Sequence, residues 1–153
     1  MSGVDLIYNI DDSLYRKTFF SLVTESNMGF GKVKRITEKS LKPILGRHPF
    51  LVAGCPGVLR ILRDLGLRTF SPHIDESYDL EVNQNERLKM VVAETIRIAS
   101  LGRRERARFI SDCADIVQDN FEYAHNGLLR NRELNVFLLT NDLYKLVRQR
   151  QRE

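Results

Sequence analysis

The chain has 153 residues, of which 42% are hydrophobic and 29% are charged, and its formal net charge is +4. This length and balance predict a single α/β domain over residues 1–153 and argue against two independent domains. No apolar run approaches the roughly 18 residues of a membrane span, and the N-terminus lacks the pattern of a secretory signal, so we expect a cytoplasmic protein with no membrane partner.

Residues 1–83 alternate short apolar runs with helical patterns, as βαβ units do. The second of the predicted strands, TFFSLVTES, and the third, PFLVAG, have the near-continuous apolar character of buried parallel strands. Four strands are predicted, at 5–10, 18–26, 49–54 and 68–70.

Two crossover helices are predicted between these strands. The first covers 37–45, with Thr37 as a plausible N-cap, and Pro43 must bend or end it unless this proline lies in the first turn. The second follows a small-residue turn, where Pro56 suits a helix start and Gly66 a helix stop. The order strand, helix, strand, helix, strand is that of half a Rossmann-like parallel sheet.

Residues 84–153 form a helical portion that we expect to pack on the sheet. Apolar residues at helical spacing predict one helix from Asn85 to about Leu101 and another from Arg104 to Tyr123. The pair Asn126-Gly127 ends the second helix, and a last helix is predicted over 132–149. The apolar faces of the first two helices are predicted at Leu88, Val91, Val92, Thr95 and Ala99, and at Ala107, Ile110, Ala114, Val117 and Phe121.

The segment Thr37-Glu38-Lys39 begins a helix at the edge of the sheet where parallel α/β proteins bind ligands. Backbone N–H groups at such a helix start favour a phosphate, Lys39 adds a positive charge, and the Glu38 carboxylate can accept hydrogen bonds from ribose hydroxyls. The basic loop that ends at Arg35 could add positive potential. Alternatively, Thr37 only caps the helix, Glu38 complements the helix dipole and Lys39 is solvated.

The stretches FFSLVTES, RITEKSLKPIL and PFLVAG resemble the C-terminal, nucleotide-sugar-binding half of fucosyltransferase-type GT-B glycosyltransferases. In that family a strand ending in Glu-Asn-Ser precedes a Thr-Glu-Lys helix. A longer pattern, through LRDLGLRTFSPHIDESYD to residue 79, is similar to phage- and virus-encoded proteins, some of them attached to glycosyltransferase regions. The resemblance implies that Glu38 binds the ribose and Lys39 the diphosphate, while Glu25 and Ser26 face the donor. Glu25 stands where the family pattern has Asn.

The resemblance implies a nucleoside-diphosphate sugar as donor substrate. The positive charge of Lys39 and of the basic loop would then stabilise the diphosphate as it leaves. A GT-B enzyme holds donor and acceptor between two Rossmann-like domains, and this chain has room for one. Glycosyl transfer would therefore need a missing or partner acceptor domain, or the chain has lost transfer activity, and no catalytic residue is assigned. Gly54 is expected either to let the backbone approach the base or sugar, or to form a tight turn.

A second interpretation is a non-enzymatic interaction module that keeps a degenerate glycosyltransferase fold. Its contact surface would be the arginine-rich stretch GRRERAR at 102–108, facing a protein or a nucleic acid. Aromatic residues are not interleaved with these arginines, so a nucleic-acid partner is the less favoured one.

The acidic segment HIDESYD at 73–79 is the other place where chemistry is expected. Asp75, Glu76 and Asp79 could supply a metal site or a general base, but acids before a helix are also ordinary capping groups, which we favour. Tyr78 is most simply a packed aromatic residue.

Cysteine and histidine residues show no metal-binding spacing, so no metal and no cofactor is expected. Cys55 and Cys113 are predicted to be reduced thiols. Cys55 follows a strand and precedes a helix, where it is either an activated thiol or a small buried side chain in a turn. The three histidines, His48, His73 and His125, are expected to be surface or hydrogen-bonded residues.

Overall fold

The computed structural model describes residues 12–26, 28–29 and 36–128. This part of the chain is mixed α/β and mostly helical. The predicted strand at 5–10 and the predicted helix at 132–149 lie outside it. The elements are α1 Asp12–Lys17, β1 Ser21–Thr24, α2 Glu38–Leu45, β2 Phe50–Ala53, α3 Val58–Asp64, a 3-10 turn Ser77–Leu80, α4 Gln84–Ala99, α5 Arg103–Tyr123 and a π-helical turn Ala124–Leu128.

Strands β1 and β2 pair in parallel, with Ser21 opposite Phe50 and Thr24 opposite Ala53. Both predicted strands are confirmed, each shorter than its apolar run. All four residues of β2 are buried, as predicted. The prediction that β1 is a buried strand is wrong, because its residues alternate and Leu22 is 44% exposed. In the described region β1 has a strand neighbour on one side only, which leaves part of it uncovered.

Both predicted helices are confirmed, but only α2 crosses over between two strands of the described residues, β1 and β2. The N-cap of α3 is Gly57, so Pro56 lies one residue before the cap. Thr37 is the N-cap of α2, and its hydroxyl oxygen accepts a hydrogen bond from the Lys39 N–H. Helix α2 continues two residues past Pro43, to Leu45. Helix α3 ends at Asp64, and Gly66 follows it with φ of +88°, a left-handed conformation that glycine adopts without strain.

The prediction of a third strand at 68–70 is wrong, because side chains satisfy the backbone there in place of a neighbouring strand. The Arg68 N–H donates to Asn120 Oδ1 at 2.8 Å, and Asn120 Nδ2 donates back to the Arg68 carbonyl at 2.8 Å. The Phe70 N–H donates to Glu76 Oε1 at 2.6 Å. With these partners the segment needs no sheet hydrogen bonds.

Helices α4 and α5 are confirmed, but the apolar face predicted for each is buried only in part. Val91 is buried and Val117 packs against the core. Leu88, Val92 and Ile110 are exposed. On α4 the exposed apolar stripe also includes Ile96. On both helices the buried face includes polar side chains that make hydrogen bonds. The spacing of apolar residues does not predict that such polar side chains are buried. The buried residues are Arg87, Val91, Glu94 and Ile98 on α4, and Phe109, Cys113, Ile116 and Asn120 on α5.

One apolar cluster joins the βαβ segment to the helical portion. Its centre is β2 with α3, where Leu51, Val52 and Leu62 have no exposed surface. Residues of α4 and α5, such as Ile98 and Cys113, are equally buried in the same cluster. The two portions of the sequence therefore share a core.

Candidate functional site at the carboxyl ends of the strands

The residues that follow β1 and β2 meet at one edge of the sheet, as parallel pairing requires. Glu25 comes directly after β1, and its N–H donates to the carbonyl oxygen of Ala53, the last residue of β2, at 2.9 Å. Gly54 is the next residue after β2. The N-terminus of α2 lies against this same edge, so the structure brings together Glu25, Ser26, Thr37 and Lys39, as the sequence predicts.

Glu25 is 6% exposed, and its carboxylate accepts three hydrogen bonds at the N-terminus of α2. Oε1 accepts from the Thr37 N–H at 2.9 Å and from the Ser40 hydroxyl at 2.7 Å, and Oε2 accepts from the Thr37 hydroxyl at 2.7 Å. We call these three residues the Glu25 clamp. The clamp fixes the start of α2 to the end of β1, and it occupies both carboxylate oxygens with groups of the chain itself.

Lys39 is an exposed cation at this edge. Its Nζ donates to Ser26 Oγ at 3.0 Å, which holds the ammonium group beside the residues that follow β1. Lys39 and Lys42 line a cleft of about 370 Å³ between β1, α1 and α2, and none of the described residues lining this cleft is acidic. A cleft with two ammonium groups and no carboxylate favours an anion.

Two other predicted contacts of this site fall outside what the structure describes. Helix α2 begins at Glu38, but the Glu38 side chain is not among the described side chains, and Arg35 lies outside the described residues. Their assignments to the ribose and to the phosphate potential stay predictions.

Gly54 is buried, and its role here is close packing. A Cβ atom on Gly54 would lie 3.2 Å from the Val58 methyl groups, so glycine lets β2 meet the start of α3. Its carbonyl oxygen accepts from Arg87 Nε at 3.0 Å. The predicted approach of this backbone to a base or sugar stays a prediction.

Sequence reasoning missed Arg87, a guanidinium that is 1% exposed and lies at this edge. It donates to the carbonyl oxygens of Gly54, Glu81 and Met28, which join the segments after β1 and β2 to the start of α4. An arginine within a helix normally indicates a solvated face, so the sequence carried no signal for this buried position.

Of the acids of 73–79, Asp75 and Asp79 act as capping groups, as favoured from sequence, whereas Glu76 accepts from the segment before it. Asp75 Oδ1 accepts from the Ser77 N–H, and this bond holds the pKa of Asp75 below its ordinary value. Glu76 accepts from Phe70 and also pairs with Arg63 at 3.3 Å. In the described ranges, no group of three His, Cys, Asp or Glu side chains could hold a metal ion.

Asp79 and Tyr78 lie in the interior. The Leu59 N–H donates to Asp79 Oδ1 at 3.2 Å, so Asp79 caps α3 and not the helix that follows it. Burial raises the pKa of Tyr78, and its phenolic oxygen accepts from the Val52 N–H at 3.3 Å. Tyr78 is therefore a packed aromatic residue, as predicted.

Both cysteines are free thiols and both are buried. Cys55 is 2% exposed in the turn after β2, which agrees with a small packed side chain. Burial, helped by the nearby charge of Asp112, raises the pKa of Cys113 to about 12.

The arginine-rich stretch lies at the start of α5, and its side chains are exposed. Arg106 differs from its neighbours, because its guanidinium lies 4.4 Å from the centre of the Phe19 ring and also donates to the Leu101 carbonyl. Part of this stretch therefore packs against the fold.

Comparison with protein-family models, with curated proteins and with solved structures finds no match for this chain. Among the described helices, none combines the length and the apolar character needed to cross a membrane. Any assignment of function therefore depends on the site itself.

Proposed function

We propose that this chain binds the diphosphate of a nucleoside-diphosphate sugar in the lysine-lined cleft beside β1. The observation that carries the proposal is the Lys39 ammonium group, held 3.0 Å from Ser26 Oγ at the end of β1. A cation fixed at the carboxyl edge of parallel strands is well placed for a phosphate.

The Glu25 clamp supports this proposal in an indirect way. Because its carboxylate is buried and both of its oxygens accept hydrogen bonds from Thr37 or Ser40, it fixes the helix start that carries Lys39. We assign Glu25 and Thr37 to positioning, Lys39 and Ser26 to the diphosphate, and the Glu38 carboxylate to the ribose.

The same proposal includes a fold assignment for the domain as a whole. We infer that the β1–α2–β2–α3 unit is the central part of a half-size Rossmann-like domain of the glycosyltransferase type, with β1 open to a further strand. Glycosyl transfer then requires a missing or partner acceptor domain, because a GT-B enzyme holds donor and acceptor between two Rossmann-like domains and the described residues contain one sheet. Two free cysteines agree with a reducing compartment such as the cytoplasm.

The test is calorimetric titration with UDP and GDP, each compared with its nucleoside. We expect a diphosphate to bind and Lys39→Ala to weaken it about tenfold to a hundredfold, since hydrogen bonds to charged groups contribute roughly 1.5–3 kcal/mol. The same change leaves nucleoside affinity nearly unaltered. Glu38→Ala weakens both ligands, because both contain the ribose.

The matched control is Lys89→Ala, which removes an exposed lysine paired with Glu86 on α4. This variant should bind UDP and GDP as the unmodified chain does. The proposal fails if neither diphosphate binds at millimolar concentration, or if Lys39→Ala weakens nucleoside and diphosphate equally.

A further inference from the structure

A second cleft, of about 580 Å³, lies between α1, the segment that leads from α2 into β2, and α5. Its walls include the rings of Tyr15, Phe19 and Phe121 together with Arg16 and Arg47, and no described residue lining it is acidic. Its volume is in the range of small-molecule sites. Aromatic walls with positive charge and no carboxylate favour a ligand that is both apolar and anionic.

Arg47 supplies the positively charged group that could bind an anion in this cleft. It follows α2 with φ of +53°, the left-handed conformation in which glycine is the usual residue after a helix. Its guanidinium carbon lies 3.9 Å from the centre of the Phe121 ring. Within the described part of the chain, no carboxylate or carbonyl accepts a hydrogen bond from this guanidinium. Its N–H groups are therefore available to an anion while its face is held on the aromatic ring.

The chain neighbours of Arg47, Gly46 and His48, are fixed against Tyr15 by short contacts. A Cβ atom on Gly46 would lie 2.5 Å from Tyr15 Cδ1, so the tyrosine ring sits directly on the glycine. His48 Nε2 lies 2.6 Å from the Tyr15 carbonyl oxygen, which can only accept, so Nε2 carries a proton and donates. The His48 and Tyr15 rings also meet edge to face at 5.0 Å. The cleft is thus formed before any ligand enters.

We propose that this cleft binds an aromatic anion, a compound that has a phosphate or a carboxylate on an aromatic ring. The ring of the ligand packs against Tyr15 and Phe19, and the anionic group takes the N–H groups of Arg47. This site shares no charged residue with the lysine-lined cleft, so it does not depend on the function proposed above.

The test is titration of the full chain with phenyl phosphate, inorganic phosphate, phenol and benzoate, followed by NMR of the backbone amides. Phenyl phosphate should bind at least tenfold more tightly than inorganic phosphate or phenol, because only it has both the ring and the anion. Benzoate identifies the anion: if it binds as tightly as phenyl phosphate, the site accepts carboxylates too, and if it binds more weakly, the site is specific for phosphate.

Arg47→Gly is the decisive variant, because glycine adopts φ of +53° without strain, so the arginine side chain is removed without a backbone penalty. Phenyl phosphate should then bind about tenfold to a hundredfold more weakly. Arg47→Asn, which also tolerates the left-handed conformation, should give the same loss.

The control is Arg108→Ser, which makes the same change of charge on an exposed turn of α5 and should leave the affinity within twofold. The proposal is wrong if phenyl phosphate does not bind at millimolar concentration, if phenol binds equally well, or if both Arg47 variants keep the affinity of the unmodified chain.

Discussion

Removing the Glu25 carboxylate should destabilise the fold by more than an ordinary glutamate substitution does. In Glu25→Ala the Ser40 hydroxyl, which has no exposed surface, loses its acceptor at 2.7 Å. A buried donor left without a partner costs about 1–3 kcal/mol, and disturbing the Thr37 N-cap costs about 1 kcal/mol more. We therefore expect a loss of about 3 kcal/mol in the free energy of unfolding, which corresponds to roughly 6–12 °C in Tm.

Glu25→Gln should cost less, about 1 kcal/mol, because its amide oxygen still accepts from the Thr37 N–H and the Ser40 hydroxyl. Only the hydrogen bond that the Thr37 hydroxyl donates to Oε2 is lost, because an NH2 group takes the place of this oxygen. Urea unfolding followed by circular dichroism gives both values. If the free energy of unfolding falls with urea concentration at the same slope in both variants, the difference in midpoint reports a change in stability.

Glu122→Ala is the matched control, since Glu122 is exposed and bonded only to Gln118 among the described residues. It should change stability by no more than about 0.5 kcal/mol. The reasoning is refuted if Glu25→Ala is as mild as this control, or if Glu25→Gln is the more damaging of the two glutamate substitutions.

Three further changes test the packing of the fold. Gly46→Ala should cost about 1–3 kcal/mol because its Cβ meets the Tyr15 ring, and urea unfolding should show that the penalty disappears in a Tyr15→Ala background. Gly66→Ala should cost about 1–2 kcal/mol because it forces an L-residue to φ of +88°, and an unchanged Tm would contradict this. Stability should fall above pH 9, because the Cys113 thiol ionises near its ordinary pKa of 9.0 when unfolded but stays protonated to about 12 when folded. Cys113→Ala should lessen this alkaline loss, and an identical pH profile would count against a buried thiol.

Local signals in the sequence predicted the elements well. The helix ends are marked by Thr37 before α2, by a glycine turn before α3 and by Gly66 after α3. Each of these signals acts through the backbone of a few neighbouring residues, so the helix ends can be predicted from the sequence. The meeting of Glu25, Ser26, Thr37 and Lys39 followed from the rule that carboxyl ends of parallel strands share an edge. That expectation required no knowledge of distant contacts.

Long-range polar contacts explain what the sequence could not predict. Arg87 is buried because three carbonyl oxygens, one of them 59 residues away, accept its hydrogen bonds. Glu94 is buried because the Asp75 N–H and Arg97 donate to it. Both side chains lie on the buried face of α4, together with Val91 and Ile98, while Leu88 and Val92 lie at the surface.

The Asn120 side chain makes the two halves of the sequence depend on each other for folding. Its amide acts on Arg68 as a peptide group of a neighbouring strand would, although 52 residues separate them. A chain cut before Cys113 would leave this N–H and carbonyl without partners and would also lose the core residues Cys113 and Ile116. The βαβ segment should therefore unfold together with α5 in one cooperative transition, and amide protection at Arg68 should report the docking of a helix that lies far along the chain.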